Sequence, residues 1–258
     1  MAEERSQSDN TPAAPPTTRP ESDPAPVSTL TEPALTEDLA LALLKSPDLL
    51  PDALEPVLKN AAVMKSLKVR LALAAHPRAP RRVALRLIRE FYTFDLRQFA
   101  LTPTAPADLK RVAEEQLIVR LSSITLGERI SLARRCSATV AGALLLDKHS
   151  RVWQTALDNS RLTEAALVKA LQRPQATPAL VEAVCHHAKW SQRPEIRLAL
   201  LRNPHTPLAR ALDFARRLPP TVLRDVLRAS RLPEPVKVCL RQDLEARVNR
   251  LLTVSTIC

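Results

Sequence analysis

Residues 196–215, with the sequence IRLALLRNPHTPLARALDFA, constrain the fold more than any other stretch, because they describe two short helices joined by one turn. Apolar side chains recur at i, i+3 and i+4 spacing from Ile196 and again from Leu208, which is the pattern of one helical face. Pro204 disfavours a helical conformation at Asn203, so the first helix should end just before that residue. The stretch therefore predicts a helix–turn–helix unit.

Threonines mark the predicted starts of several helices. Thr206 is expected to cap the second helix of this unit, with Pro207 at its first position, since a threonine hydroxyl can accept from a free N–H of the first turn. Thr163 is expected to act in the same way in an earlier unit. Thr125 and Glu128 form the T-x-x-E pattern of a capping box.

The order of helix, turn and helix recurs along most of the chain, usually with a proline in the turn. Residues 69–88 align with residues 196–215 without a gap and place HPRAP over NPHTP. Six turns can be aligned at intervals of 26, 34, 23, 44 and 26 residues, and the longest interval holds an extra helix that begins at Pro178. An irregular period of this size is typical of an α-solenoid, so we expect an all-α, right-handed superhelix of about 12 to 15 short helices.

The composition argues against several classes of active site. The chain has 2 glycines, at positions 127 and 142, against 23 prolines, so a glycine-rich phosphate loop or dinucleotide fingerprint cannot form. The G-x-S-x-G, H-E-x-x-H and Walker A motifs do not occur in the sequence. We therefore expect a protein that is not an enzyme and that binds no cofactor.

The distribution of charge divides the chain into two parts. Residues 1–35 contain seven prolines and have a formal charge of −4, from two arginines against six carboxylates, which leaves +15 for residues 36–258 because the whole chain is +11. A segment of this composition cannot bury enough apolar surface to offset the entropy lost on ordering it. We predict a disordered acidic, proline-rich tail at 1–35 and the solenoid at 36–258.

The sequence also gives expectations about compartment. It has no run of about 18 apolar residues that could span a bilayer, and residues 1–19 do not resemble a secretory signal. The cysteines form no C-x-x-C pair, which is typical of free thiols in a reducing compartment; they are Cys136, Cys185, Cys239 and Cys258. We expect a cytoplasmic protein without a membrane partner.

A metal site is not expected, although Cys185, His186 and His187 are consecutive. Successive residues of a helix point about 100° apart, so the three side chains cannot converge on one ion. No fourth ligand is close in sequence.

The turns NPHTP, HPRAP, TPTAP and NSRLT, each between short apolar helices, resemble the turns of leucine-rich-variant repeats, as in bacterial proteins, and of the wider HEAT-like superfamily. The resemblance covers residues 36 to about 245 and implies a binding scaffold. Some variant repeats are preceded by an iron–sulfur cysteine cluster. That property does not carry over, because no two cysteines of this chain lie close together.

A basic or imidazole side chain occupies one recurring turn position in four of the six aligned units, namely Arg78, Arg161, His205 and Arg231. In a regular solenoid, equivalent positions form a row along one edge. Long cations at turn tips can serve solubility alone. The alternative is a basic ridge that binds phosphates or acidic partners.

Aromatic residues give two further candidates. Trp153 aligns with Arg70 and Arg197, beside the buried stripe, so it is expected to be at least partly exposed and available for a partner. The alternative is that Trp153 wedges against a neighbouring repeat. Four aromatics lie within nine residues and are predicted to form a local core rather than a site; they are Phe91, Tyr92, Phe94 and Phe99.

These features predict a non-catalytic scaffold that binds another protein on its concave face or along the ridge of turns. The alternative is a nucleic-acid-binding solenoid that uses the same basic surface. A phosphate-binding surface needs arginines and lysines gathered without interleaved carboxylates, and that arrangement would separate the two hypotheses.

The tail should be expendable for folding. Limited proteolysis is expected to remove residues up to about 33 and to leave the melting temperature of the remainder unchanged, because a disordered segment buries no core. Calorimetry of the full and truncated chains measures this. A melting temperature several degrees lower after truncation would show that the tail packs on the rest.

Overall fold

A computed structural model of the chain describes residues 35–255. Within that range it contains 15 α-helices, one short 3-10 helix at Val63–Lys65 and no strand, which confirms the all-α prediction. Apart from its last residue, the predicted acidic tail at 1–35 lies outside the described residues. The helices are α1 (Glu37–Leu44), α2 (Pro51–Lys59), α3 (Leu67–Ala75), α4 (Arg81–Glu90), α5 (Thr93–Leu101), α6 (Ala107–Arg120), α7 (Leu126–Arg135), α8 (Ala138–Leu144), α9 (Ser150–Leu157), α10 (Glu164–Leu171), α11 (Pro178–His186), α12 (Pro194–Arg202), α13 (Leu208–Arg216), α14 (Pro220–Arg228) and α15 (Glu234–Ser255).

The helices form two layers, because most of them pack against the helix two positions away in the chain. Odd-numbered helices form one layer, with contacts α1–α3, α3–α5, α7–α9, α9–α11 and α13–α15. Even-numbered helices form the other, in which α4, α6, α8, α10, α12 and α14 contact one another in succession. One continuous apolar core runs from Ala40 to Leu244. This arrangement is compatible with the α-solenoid that the repeats predict.

The extra helix α11 changes which layer the later units enter. Before α11, the first helix of each unit is odd-numbered, whereas after it the first helices are α12 and α14, which belong to the even layer. The turn α9–α10 lies at the start of α10, whereas the turns α12–α13 and α14–α15 meet the end of α10, so the turn inside a unit moves to the opposite edge of the layers. We call the edge with the turns α3–α4 and α9–α10 the first edge, and the edge with the turns α10–α11, α12–α13 and α14–α15 the second edge.

A buried asparagine in two of the turns links one helix end to the end of its parallel neighbour. Asn203 follows α12, and its Nδ2 donates to the carbonyl of Leu171 at the end of α10, 2.8 Å away. Its Oδ1 accepts from the backbone N–H of His205 at 2.9 Å and so closes its own turn. Asn159 makes the same two bonds after α9, donating to the carbonyl of Ala133 in α7 at 2.8 Å.

His76 and Ser230 play the same role in two other turns, with Ser230 one position later in its turn than His76 and the asparagines. The imidazole Nε2 of His76 lies 2.9 Å from the carbonyl of Ser46, and its Nδ1 accepts from the backbone N–H of Arg78 at 3.2 Å. The hydroxyl of Ser230 donates to the carbonyl of Leu201 in α12, 2.7 Å away. Both side chains are buried. The first polar residue of the turn therefore couples successive units.

Arginines satisfy the C-terminal carbonyls of other helices in a similar way. Arg120, the last residue of α6, donates to carbonyls at the end of α4. Arg247 of α15 donates to the carbonyls of Ala215 and Leu218 at the end of α13, at 3.0 Å each. A cation at a helix C-terminus is also favoured by the helix dipole. Part of the positive charge of the chain therefore holds helices together.

Two of the three predicted helix caps are confirmed. The hydroxyl of Thr163 accepts from the backbone N–H of Ala166 at 3.3 Å, and Thr125 and Glu128 form both bonds of the capping box. The prediction for Thr206 is wrong. Its hydroxyl donates to the carbonyl of Leu200, 2.6 Å away, and so serves the end of α12 rather than the start of α13.

Pro207 is also displaced from its predicted position. It occupies the N-cap of α13, and the first helical residue is Leu208. No helix in the described part of the chain is both long enough and apolar enough to cross a bilayer.

Substitution by aspartate should separate the two threonine roles. Thr163→Ala is expected to cost about 0.5 to 2 kcal/mol of unfolding free energy, and Thr163→Asp should be nearly neutral because aspartate is also a good N-cap. Thr206→Asp should cost about 1 to 3 kcal/mol, because a buried carboxylate cannot donate to the carbonyl of Leu200, while Thr206→Ser keeps the bond. Urea denaturation measures all four variants. A neutral Thr206→Asp would contradict the observed donor role.

Asparagine should be able to replace His76 with little loss of stability. His76→Leu leaves the carbonyl of Ser46 and the N–H of Arg78 without their partner, at a cost of about 1 to 3 kcal/mol for each buried group. His76→Asn should recover most of that loss, since Asn159 and Asn203 fill the same place in other units. His205→Leu, at an exposed turn tip, is the control and should change stability by less than about 0.5 kcal/mol. Equal stability of His76→Leu and His76→Asn would exclude the bridging role.

Candidate binding surfaces

The four turn residues of the predicted basic ridge are all exposed, but they do not form one row. Arg161 lies in the turn before α10, at the first edge. His205 and Arg231 line a cleft together with Arg173. Arg173 follows the C-terminal end of α10, which lies at the second edge. Arg78 lies in the turn before α4, a helix of the same layer as α10. The expected ridge is therefore divided between opposite edges, because α11 is a single helix and shifts the later units by half a repeat.

The expectation that Trp153 is exposed is wrong, since only 5% of its surface is accessible. Its helix, α9, contacts α7 on one side and α11 on the other, and also α8 in the second layer. A position beside the apolar stripe is therefore covered by a neighbouring helix. The arrangement agrees with the alternative in which Trp153 wedges against a neighbouring repeat.

The aromatic cluster divides into a buried half and an exposed half. Phe91 and Phe99 are buried with ring centroids 6.1 Å apart, as expected for a local core. Phe94 and Tyr92 face solvent, and 79% of Tyr92 is accessible. Half of the cluster therefore contributes to the core.

The cysteines and histidines of α11 do not converge. The side chain of Cys185 is buried, whereas His186 is exposed and its Nδ1 lies 2.9 Å from the carbonyl of Glu182. Burial raises the pKa of Cys136 to about 12 and that of Cys185 to about 11, so both remain thiols at neutral pH. Among the described residues, no group of three or more His, Cys, Asp or Glu side chains could hold a metal ion.

An apolar groove lies on the even layer, between α6, α8 and α10, with a volume of about 670 Å³. Its floor is built from small residues of α8 and α10. These two helices pack closely, because a Cβ added at Gly142 would lie only 3.3 Å from the Cβ of Ala166. Its walls include the half-buried side chains of Ile118, Leu121 and Leu146. A largely apolar concavity of this volume is a candidate binding groove.

Positive charge lies at one end of this groove. Lys169 and Arg173 are exposed, and both contribute to its lining. No carboxylate is among the described residues that line it. The groove therefore combines an apolar floor with a basic end.

A second concavity, the basic cleft, lies at the second edge where three turns meet, and has a volume of about 400 Å³. Arg173, Arg202 and Arg231 line it together with His205, and Asn203 lies in its wall. Arg173 also lines the apolar groove, so the two surfaces adjoin at the end of α10.

Sequence reasoning found His205 and Arg231 but not Arg173 or Arg202. Arg173 lies one position before a turn proline in RPQATP, and Arg202 lies two positions before one in RNPHTP. This spacing could have indicated that both arginines lie beside turns. Their convergence depends on which turns share an edge, which the spacing of the repeats does not reveal. The apolar groove had a weaker signal in the small residues of AGA at 141–143.

No protein-family model matches the chain, and neither does a curated protein or a solved structure. The resemblance to leucine-rich-variant and HEAT-like repeats therefore stays a prediction.

Proposed function

We propose that the chain is a non-catalytic helical-repeat scaffold of the leucine-rich-variant or HEAT-like kind, a right-handed α-solenoid that acts in the cytoplasm by binding another protein. The observation that carries the proposal is the apolar groove between α6, α8 and α10. Gly142 allows α8 and α10 to pack closely, and the short side chains of the alanines in the floor leave room for a guest. The occupant that fits is an amphipathic helix of the partner, with its apolar face against the floor.

The positive charge at one end of the groove determines which end of the guest helix should carry acidic residues. Lys169 and Arg173 stand beside apolar lining without a carboxylate, so a guest with acidic residues at one end is complementary. The proposed partner segment therefore has apolar residues at i, i+3 and i+4 spacing and aspartate or glutamate at one end.

The distribution of the other charges favours a protein over nucleic acid as the partner. Several arginines are paired with carboxylates on neighbouring elements, as in Arg129 with Asp147 at 2.6 Å and Arg216 with Asp243 at 3.3 Å. Interleaved acidic groups weaken the continuous positive track that a phosphate backbone needs. A phosphate backbone also offers no apolar face that could pack into the apolar groove.

Selection from a displayed library of random 16-residue peptides tests the proposal. The wild-type chain should enrich peptides with helically spaced apolar residues and an acidic end. Ala143→Glu places a carboxylate in the groove and should weaken their binding at least tenfold, since a buried unpaired charge is costly. Thr139→Glu adds the same charge at an exposed position of the groove, where a carboxylate should not disturb folding, and should weaken binding as well. Ala209→Glu adds the charge at an exposed position of α13, outside the groove, and is the matched control.

Two results would count against the scaffold. One is the enrichment of no peptide family by the wild type. The other is a family whose members bind the two groove variants as tightly as they bind Ala209→Glu, because those peptides would not occupy the groove.

A further inference from the structure

The basic cleft is lined by three arginines that come from three different turns. Arg173 follows α10, Arg202 ends α12, and Arg231 lies between α14 and α15. All three are exposed, and none forms an ion pair with a described carboxylate. No aspartate or glutamate is among the described residues that line the cleft. Three arginines without a described carboxylate partner therefore line one concavity of about 400 Å³.

The backbone that carries these arginines is held in place by hydrogen bonds between the turns. The backbone N–H of Arg231 donates to the carbonyl of Arg202 at 3.1 Å, and the hydroxyl of Ser230 donates to the carbonyl of Leu201. Asn203 joins the same turn to the end of α10. The backbone positions from which the three arginines extend are therefore fixed relative to one another before a ligand binds, which favours binding of an anion.

We propose that the basic cleft binds a phosphorylated side chain of the partner protein, a phosphoserine or phosphothreonine, through Arg173, Arg202 and Arg231. The proposal rests on the function proposed above, because Arg173 joins the cleft to the apolar groove. A partner helix seated in the groove with its acidic end toward Arg173 would carry the next residues of its chain into the cleft.

The charge and shape of the cleft favour a phosphate over other anions. A phosphate monoester carries about −1.5 to −2 charges and three acceptor oxygens, which matches three planar guanidinium donors. A single carboxylate would neutralise only one of them. Duplex DNA would place its phosphates along an edge rather than inside one concavity, and at the first edge Arg81 is already paired with Asp108.

The test uses fluorescein-labelled pools of nine-residue peptides, random except at the central position. That position is phosphoserine, serine or glutamate, and binding to the full chain is followed by anisotropy. The phosphoserine pool should bind at least about tenfold more tightly than the serine pool, since charge-assisted bonds to arginine are the stronger class. The glutamate pool should lie between them. Inorganic phosphate should compete only at much higher concentration, since it makes no peptide contacts.

A pair of triple variants locates the site. Replacing Arg173, Arg202 and Arg231 with alanine should bring the phosphoserine and serine pools within about twofold of each other. The matched control replaces Arg78, Arg82 and Arg161, which are exposed, unpaired with described carboxylates and located at the first edge, and removes the same charge. It should keep the preference. Melting curves of both variants should match the wild type, because none of the six side chains packs in the core.

Several outcomes would overturn the proposal. Equal binding of the phosphoserine and glutamate pools would make the ligand an acidic peptide, and equal binding of inorganic phosphate and the phosphoserine pool would make it a free anion. Tighter binding of a 20-base-pair duplex that depends on the same arginines would make it nucleic acid. Loss of the phosphoserine preference in the control variant would place the site elsewhere.

The two proposals can fail separately. Peptides selected for the apolar groove should still bind the variant that lacks Arg173, Arg202 and Arg231, with at most a severalfold loss from their acidic end. If those peptides bind while the phosphoserine pool shows no preference, only the cleft proposal is wrong. If the preference is present but no groove peptide exists, only the assignment of the apolar groove as a binding site is wrong.

Discussion

The structure depends on how its short helices satisfy their terminal carbonyls. The last four carbonyls of any helix have no partner within that helix, and several helices here have only seven to nine residues. A large share of the backbone would therefore be left unpaired at the ends. Side chains of the next unit supply the missing donors, from Asn159, Asn203, His76 and Ser230 in the turns and from Arg120 and Arg247 in the helices. The same bonds thus satisfy the backbone and fix the stacking of neighbouring units.

The single helix α11 connects this packing to the proposed binding function. Since it adds one helix rather than a pair, the units that follow place their turns at the second edge. The arginines of those turns then meet Arg173, which belongs to the turn before α11. Without this shift, Arg202 and Arg231 would lie at the opposite edge from Arg173, and neither the basic cleft nor its junction with the apolar groove would form.

The chain uses its positive charge in three ways. Arg120 and Arg247 hold helix ends, and Arg129 and Arg216 are paired with carboxylates. Arg173, Arg202 and Arg231 form a third group, which has no described carboxylate partner and lines the cleft that is proposed to bind an anion. The formal charge of +15 for residues 36–258 therefore overstates the charge available to a partner.

The sequence by itself determined the all-α class, the repeated helix–turn–helix unit, the extra helix at Pro178 and the caps at Thr163 and Thr125, because these follow from local spacing and local hydrogen bonds. It did not determine the role of Thr206, whose hydroxyl could serve either adjoining helix. Nor did it place Trp153, which neighbouring helices bury, or bring together Arg173, Arg202 and Arg231. Those features depend on which helix ends share an edge, and only the packing of helices distant in the chain decides that.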